Sequence, residues 1–283
     1  MITLEDTTPP TFTQPADITI ECDVDPTDLT IVGDVIDEAD NCDTSLADAT
    51  YNDAVQNDTP CIGASTITRF WTLIDACGNS KILLQTITLE DTTPPTFVTP
   101  ADVTLECDVD NADLAITGDV TLEADNCDTT IGQATFTDSI EVSNACAGNL
   151  TIFRIWTLSD NCGNTTTDIQ TILVGDNIAP TFTVPNDIVI QCNLDPDDLA
   201  IVGDVTDEAD NCDTTLGQAT YTDAIATDDP CIGAAVITRT WSLTDECGNN
   251  TTAIQIITLE DTVAPTLLSL MISPSNVMSI QLI

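Results

Sequence analysis

The stretch LEDTTPPTF at residues 89–97 stands unaltered at residues 4–12 and in altered form at residues 174–182 and 259–267. Internal repetition at a constant period predicts an array of small domains joined in series. The Asp-Thr-Thr-Pro-Pro segment is then the joint between one domain and the next. Its aspartate recurs every 85 residues, as Asp6, Asp91, Asp176 and Asp261.

Four cysteines in each copy keep the same period. They are Cys22, Cys42, Cys61 and Cys77, then Cys107, Cys127, Cys146 and Cys162, then Cys192, Cys212, Cys231 and Cys247. We therefore predict three repeats, at residues 6–90, 91–175 and 176–260. Residues 1–5 match the end of a preceding repeat and residues 261–283 begin a divergent segment, which indicates part of a longer exported protein.

The charge is one-sided: 48 acidic residues stand against 4 basic ones, with no histidine and a formal net charge of -44. Such a field repels phosphate backbones and anionic membranes, which excludes nucleic acid as a partner and argues against direct membrane insertion. High charge can also mean disorder. Because 42% of the residues are hydrophobic and they alternate along the chain, each repeat can bury a core, and the charge favours bound cations over an unfolded chain.

The cysteine pattern is typical of disulfides formed in an oxidising compartment. The alternative is a zinc site. No Cys-x-x-Cys pair and no histidine is present to supply the ligands that such sites use. We therefore predict disulfides and an extracellular location.

Alternating apolar and β-branched residues predict five strands in each repeat. In the first repeat they cover residues 18–22, 29–35, 49–51, 66–75 and 82–89. No window shows the 3.6-residue period of a helix. The predicted fold class is all-β, with tandem immunoglobulin-like β-sandwich repeats stacked end to end.

The direction of the strands predicts which cysteines meet. An odd number of strands brings the chain in at one end of a repeat, the N pole, and out at the other, the C pole. Counting strands places Cys22 and Cys61 at the C pole, and Cys42 and Cys77 at the N pole. Because the Cα atoms of a disulfide lie within about 7 Å of each other, this predicts bonds within each repeat. The predicted pairs are Cys22–Cys61, Cys42–Cys77, Cys107–Cys146, Cys127–Cys162, Cys192–Cys231 and Cys212–Cys247.

The same strand count gathers acidic and amide side chains at the N pole of every repeat. Carboxylate and amide oxygens in irregular loops suit Ca²⁺, so we predict Ca²⁺ as the cofactor of the joints. The alternative is that these are ordinary solvated loop acids. The third joint lacks the glutamate and is predicted to be the softest. The candidate ligands are Glu5, Asp6, Asp40, Asn41, Asp43, Asp75 and Asn79, then Glu90, Asp91, Asp125, Asn126, Asp128, Asp160 and Asn164, then Asp176, Asn177, Asp210, Asn211, Asp213, Asp245 and Asn249.

An arginine precedes a tryptophan by two residues on the fourth predicted strand of every repeat. One interpretation is a platform on which a sugar stacks. The other, which we favour, is structural: the tryptophan fills the core, and the arginine covers the apolar layer while pairing with an acid. The pairs are Arg69 and Trp71, Arg154 and Trp156, and Arg239 and Trp241.

TLIDACGN at residues 72–79, followed by a strand and then DTTPPTFVTPADV at residues 91–103, resembles the hyalin (HYR) repeat family of immunoglobulin-like extracellular modules. The four-cysteine form, with Asp-Asn-Cys-Asp, Thr-Arg-x-Trp and Asp-x-Cys-Gly-Asn, is similar to repeats in giant surface adhesins of Bacteroidetes that serve gliding and adhesion. The resemblance covers residues 1–265 and implies a cell-surface stalk or adhesin exported by a type IX system, without catalysis. The joint also resembles the Asp-Pro-Pro linkers of cadherins, where calcium rigidifies successive domains.

The leading hypothesis is an extracellular structural rod with disulfide staples and Ca²⁺ at its joints. Its repeats contact their neighbours in the same chain, and the rod projects from a surface or joins a homopolymeric filament. The alternative is a module that binds carbohydrate or another cell. Near-identical copies without histidine offer no unique catalytic site, so no enzymatic activity is predicted.

Overall fold

The computed structural model describes residues 1, 4–142, 146, 148–226 and 234–266. It divides into two compact units: residues 1–144 with 149–175, and residues 145–148 with 176–283. The predicted repeat boundaries cut the chain differently and stay predictions.

The same seven elements recur three times in the same order. The first set is β1 Thr11–Thr13, β2 Ile18–Glu21, α1 Leu29–Val32, β3 Ile36–Ala39, β4 Thr50–Asn57, β5 Ser65–Ile74 and β6 Ser80–Glu90. The second is β7 Thr96–Val98, β8 Val103–Glu106, α2 Leu114–Thr117, β9 Thr121–Ala124, β10 Thr135–Val142, β11 Leu150–Ser159 and β12 Thr165–Gly175. The third is β13 Thr181–Thr183, β14 Ile188–Gln191, α3 Leu199–Val202, β15 Thr206–Ala209, β16 Thr220–Ala226, β17 Ala235–Thr244 and β18 Asn250–Glu260. In the described part of the chain, no helix has the length and hydropathy needed to cross a membrane.

Each set forms two sheets. In the first repeat β2, β6, β5 and β4 make a four-stranded sheet in that order, and β1 and β3 make a two-stranded one. Strand β2 runs parallel to β6, with Ile18 opposite Ile87, whereas the other pairs are antiparallel. The same arrangement recurs in both later sets. The predicted class, all-β with tandem immunoglobulin-like sandwiches, is confirmed.

The core follows the alternation of β5. Ile67, Trp71 and Leu73 are buried on one face of this strand, whereas Phe70 and Ile74 on the other face are 37% and 53% exposed. Trp71 and Leu73 pack with Phe12 of β1, so the short sheet covers the apolar face of the long one. This contact between layers is what makes the repeat a sandwich.

The strand predicted at residues 29–35 is wrong, because α1 occupies its first half. Asp28 caps this helix, and its carboxylate accepts a hydrogen bond from the amide of Thr30 at 2.9 Å. Gly33 ends it with φ at 89°, and an added Cβ there would lie 2.9 Å from the Cβ of Pro15. The two caps outweigh the β-branched composition of a run that is too short to show a helical period.

The arginine of β5 is part of the core. Its side chain is fully buried, and Nε and Nη2 of Arg69 donate to the two carboxylate oxygens of Asp53 at 2.9 Å each. The guanidinium lies 3.9 Å from the ring centre of Tyr51. The structural interpretation of the arginine–tryptophan pairs is therefore confirmed. A sugar cannot stack on rings that are 1% exposed, as Trp71, Trp156 and Trp241 are.

Candidate functional site

Two acidic loops lie together at the N pole of each repeat. In the first repeat, residues 40–43 follow β3, and residues 75–79 connect β5 to β6. Asp43 joins the loops, because its Oδ2 accepts a hydrogen bond from the amide of Ala76 at 3.0 Å. The main-chain amide of Glu246 makes the equivalent bond to Asp213 at 3.2 Å. In the second repeat, the side-chain amide of Asn161 donates to Oδ2 of Asp128 at 2.5 Å instead.

Asn79 ties the joint to these loops as a hydrogen-bond donor. Its Nδ2 donates to the main-chain oxygen of Asp6 at 3.1 Å and to Oδ2 of Asp75 at 2.7 Å. Burial raises the pKa of Asp75, but hydrogen bonds from Asn79 and Cys77 outweigh it and leave the pKa lowered. The Asp-x-Cys-Gly-Asn motif is therefore a clamp on the aspartate of the joint. The clamp recurs as Asn164 on Asp91 at 3.0 Å and as Asn249 on Asp176 at 3.2 Å.

The Asp-Asn-Cys-Asp loop orients one carboxylate oxygen inward. Oδ1 of Asp40 accepts hydrogen bonds from the amides of Cys42 and Asp43 at 2.8 and 2.7 Å. Its Oδ2 is buried and has no hydrogen-bond partner. Asp125 and Asp210 make the same turn and present the same buried oxygen.

These loops and the joint bring three carboxylates together. At the N pole of the first repeat, one oxygen each from Asp6, Asp40 and Asp75 lies within 4.8 Å of the others. Asp91 and Asp160 are just as close in the second repeat. Like charges at this distance repel one another unless a cation or a proton neutralises them.

At the joint between the first and second repeats, this electrostatic repulsion acts on the carboxylate of Asp91. It is 6% exposed, and its Oδ2 is buried without a hydrogen-bond partner. Burial raises the pKa of Asp91, and the carboxylates of Asp125 and Asp160 raise it further. A buried anion without compensation is expensive, so a cation bound here would stabilise the joint.

The donor set fits Ca²⁺. It consists of oxygens on irregular loops, and the buried oxygens of Asp91 and Asp125 are oriented as ligands without a protein donor to occupy them. Cysteine sulfurs lie in the same region, but Cys22, Cys127 and Cys162 are in disulfides. They are not available as the thiolates that a zinc site needs.

The other predicted ligands contact protein groups or solvent. Glu5, Glu90 and Asn177 are exposed. The side-chain amides of Asn41, Asn126 and Asn211 face sulfur atoms. The asparagines of the clamp, Asn79, Asn164 and Asn249, donate hydrogen bonds to the main chain of the joint. The aspartates that join the two loops already accept hydrogen bonds; they are Asp43, Asp128 and Asp213. The strongest candidates are Asp6, Asp40 and Asp75 and their equivalents, because an oxygen of each of these three carboxylates lies within 4.8 Å of the others. The wider ligand set stays a prediction.

Glu21 is a residue of this region that sequence reasoning missed. Its carboxylate accepts hydrogen bonds from the hydroxyl and the amide of Thr92, which lower the pKa of Glu21. It lies near enough to Asp91 to raise the pKa of that group. Gln191 contacts Thr262 at the equivalent place: its Oε1 accepts from the amide of Thr262, and its Nε2 donates to the hydroxyl. The available signal was a polar residue before the first cysteine of every repeat.

The disulfides cross between sequence repeats, so the predicted pairs are wrong. Cys22 bonds to Cys127 and Cys61 bonds to Cys162, with Cα atoms 5.9 and 4.3 Å apart. These two bonds exclude the predicted pairs Cys22–Cys61 and Cys127–Cys162. Cys42, Cys77 and Cys192 are free thiols, which excludes Cys42–Cys77 and Cys192–Cys231; Cys231 itself lies outside the described residues.

A third bond follows the same pattern. Cys146 bonds to Cys247, with Cα atoms 4.9 Å apart, which excludes the predicted pairs Cys107–Cys146 and Cys212–Cys247. Cys107 and Cys212 are also disulfide-bonded.

The predicted poles were right, although the predicted pairs were not. Because β2 is parallel to β6, Cys22 lies beside the strand that leaves the repeat, and its amide donates to the carbonyl of Glu90 at 2.9 Å. The C pole of the first repeat meets the N pole of the second. Gly63 marks the close approach: its φ is 92°, and an added Cβ would lie 2.9 Å from the Cβ of Cys127. The strand count had compared poles only within one repeat.

The fold and the joint together define a class of tandem β-sandwich repeats. The chain is similar to solved cadherin structures: extracellular domains 1–4 of Drosophila N-cadherin, at 12% identity over 89% of this chain and 76% of that one, with a TM-score of 0.30. It is also similar to domains 21–23 of human CDH23, at 13% identity over 88% of this chain and 100% of that one, with a TM-score of 0.31. No protein-family model and no curated protein matches the sequence.

Proposed function

We propose that this chain is a segment of an extracellular structural rod whose joints are held by paired disulfides and neutralised by Ca²⁺. The observation that carries the proposal is the joint after residue 90. There, two disulfides from one repeat to the next stand beside a buried carboxylate that has no hydrogen bond for one of its oxygens.

The paired staples restrict the joint. One bond between two domains leaves rotation about that bond, whereas Cys22–Cys127 and Cys61–Cys162 attach the same two repeats at two points. They close loops of 105 and 101 residues, a length for which the entropic stabilisation is about 4–5 kcal/mol per bond. Their presence also supports an oxidising, extracellular setting.

Ca²⁺ is the second part of the proposal. The carboxylates of Asp91, Asp125 and Asp160 would hold it at this joint, and the ion would supply the positive charge that their burial requires. With a formal charge of -44 and 4 basic residues in the whole chain, salt bridges within the protein cannot do this at every joint. The equivalents in the first repeat are Asp6, Asp40 and Asp75.

The resemblance to hyalin repeats supports placing such a rod in a surface adhesin or filament. Its partners within the chain are the neighbouring repeats. Because Trp71 is buried, an adhesive role would depend on exposed loops or edges rather than on the arginine–tryptophan face.

Calorimetric titration of the metal-stripped chain with Ca²⁺ tests the proposal. We expect binding that is weakened by Asp91→Asn and Asp125→Asn. Asp48→Asn is the matched control, since Asp48 is exposed and belongs to none of the groups of acidic side chains that come together. Small-angle scattering with and without EGTA should show a straighter rod with Ca²⁺. Binding equally strong in Asp91→Asn and the control would refute the calcium site.

A further inference from the structure

The N pole of the first repeat carries two cysteines that the rod itself does not use. Cys42 and Cys77 are free and exposed thiols. Their equivalents one repeat later, Cys127 and Cys162, are both bonded to the preceding repeat. The two N poles therefore differ in whether a repeat precedes them within the described residues.

The loops that hold these thiols already have the conformation of the bonded ones. The amide of Cys42 donates to Asp40 at 2.8 Å, as that of Cys127 donates to Asp125 at 2.9 Å. The amide of Cys77 donates to its aspartate at 2.9 Å, and that of Cys162 does so at 2.8 Å. No rearrangement of these loops is needed before a bond forms.

A complementary thiol is present at the C pole of the third repeat. Cys192 is free and half-buried, and its amide donates to the carbonyl of Glu260 at 3.1 Å. Cys22 makes the equivalent contact at 2.9 Å. Strand β14 is parallel to β18 just as β2 is to β6, so Cys192 is presented as Cys22 is.

We propose that the N pole of the first repeat is a covalent docking site for a further repeat of this type. Cys42 accepts a thiol equivalent to Cys22, and Cys77 accepts one equivalent to Cys61. Both bonds reproduce those at the joint after residue 90, with the same two loops. The inference extends the stapled rod proposed above, and its readout does not depend on calcium.

The chemistry is thiol–disulfide exchange with a disulfide oxidant such as oxidised glutathione. One cysteine thiolate attacks the oxidant and releases a glutathione thiolate. The thiolate of the second cysteine then attacks the mixed disulfide and releases the other glutathione. Two protein thiols are oxidised to one disulfide, one oxidant is reduced to two thiols, and the two protein protons pass to the glutathione released.

The test in one polypeptide inserts an extra copy of residues 6–90 in tandem, directly before Asp6 of the full chain, which keeps the 85-residue period of the joint. After oxidation with glutathione, peptides are mapped by mass spectrometry without reduction. We expect Cys42 linked to the first cysteine of the added copy and Cys77 linked to its third. A Cys42–Cys77 peptide, or alkylation of both thiols by iodoacetamide, would overturn the proposal.

Matched variants make the mapping specific. In the extended chain, Cys42→Ser should free the first cysteine of the added copy and leave the bond at Cys77 intact. Cys77→Ser should do the reverse. Loss of both bonds in either single variant would show scrambled pairing and contradict a built docking site.

A second arm asks whether another copy of this chain can serve as the added repeat. The unextended chain is oxidised at high concentration and run on a non-reducing gel. A ladder that contains Cys42–Cys192 peptides and disappears in Cys42→Ser/Cys77→Ser identifies a second copy as partner. Bonds in the extended chain without a ladder identify a repeat of the same polypeptide. If these bonds form in neither arm, the proposal is overturned.

Discussion

The N pole of the first repeat and the joint that follows residue 90 contain equivalent residues in different surroundings. At the pole, Cys42 and Cys77 are exposed thiols and Asp6 is half-buried. At the joint, the equivalent cysteines are in disulfides, and Asp91 is 6% exposed.

The hydrogen bonds inside the loops barely change between the two places. Asp40 and Asp125 accept the same pair of amide hydrogen bonds, and each leaves one buried oxygen without a partner. Each repeat therefore builds its own N pole. The neighbouring repeat adds burial and covalent bonds, which should change the free energy of unfolding and the binding of Ca²⁺.

The largest expected effect is loss of the staples. Cys127→Ser together with Cys22→Ser should lower the free energy of unfolding by about 4–5 kcal/mol, because a loop of about 100 residues is no longer closed. Cys42→Ser should change it little, since no bond is lost. Urea unfolding followed by tryptophan fluorescence measures both; equal stability of the two variants would show that the staple does not constrain the joint.

Substitution of two glycines with nearly the same φ can distinguish a steric clash across the joint from backbone strain alone. Gly63 and Gly78 have φ at 92° and 90°, but only at Gly63 does an added Cβ meet another atom within 4 Å. Gly78→Ala should cost about 1–2 kcal/mol, the price of this conformation for a residue with a Cβ. Gly63→Ala should cost more and should slow closure of Cys22–Cys127, as thiol titration during refolding would report. Indistinguishable variants would contradict a tight approach at Gly63.

Asp91→Asn should have opposite effects with and without calcium. Because folding raises the pKa of Asp91 above its ordinary value of 3.8, the folded metal-free form holds this proton more tightly than the unfolded chain. Stability without metal therefore falls as the pH rises from 3.8 through the raised pKa.

In EGTA, Asp91→Asn should remove this loss of stability with rising pH and should raise the Tm at neutral pH. With Ca²⁺ present, it should instead weaken binding about tenfold or more, about 1.4 kcal/mol. Thermal unfolding across pH, with Asp48→Asn as the control, measures both. A variant that is destabilised in EGTA would contradict the repulsion inferred among these carboxylates.

The smallest effect should come from the asparagine clamp. Asn164→Ala removes the hydrogen bond to the carbonyl of Asp91 and should cost about 1 kcal/mol. Asn79→Ala removes the equivalent bond to Asp6 at the open pole. We expect a smaller loss there, because water can replace a bond to a half-buried group. Hydrogen exchange of the amides in residues 92–97 and 7–12 would show the difference directly.

The strands that carry the core were predictable because burial alternates along them. β5 and β6 match the predicted strands closely, and the interpretation of Trp71 as a core residue was right. Two short elements were not predictable in the same way. α1 depends on the caps Asp28 and Gly33, and β1 has three residues, too few for a period to appear.

The candidate site was predictable in its composition but not in its detail. The strand count brought the Asp-Asn-Cys-Asp and Asp-x-Cys-Gly-Asn loops to one pole, where the structure has them. It could not tell a carboxylate that bridges the loops, such as Asp43, from one that leaves an oxygen unpartnered, such as Asp40. That difference depends on which amides come within about 3 Å, a scale that residue spacing does not resolve.

By itself the sequence determined the 85-residue period, the all-β class and the pole at which each cysteine of the first repeat lies, because alternation and strand direction are local properties repeated along the chain. Only the tertiary structure decided the partner of each cysteine and the burial of Asp91. Both depend on distances between groups in successive repeats: Cys22 lies within bonding distance of Cys127, and Cys61 lies within bonding distance of Cys162. The segment LEDTTPPTF is accordingly more than a linker, since it holds its aspartate where two repeats meet and two disulfides close.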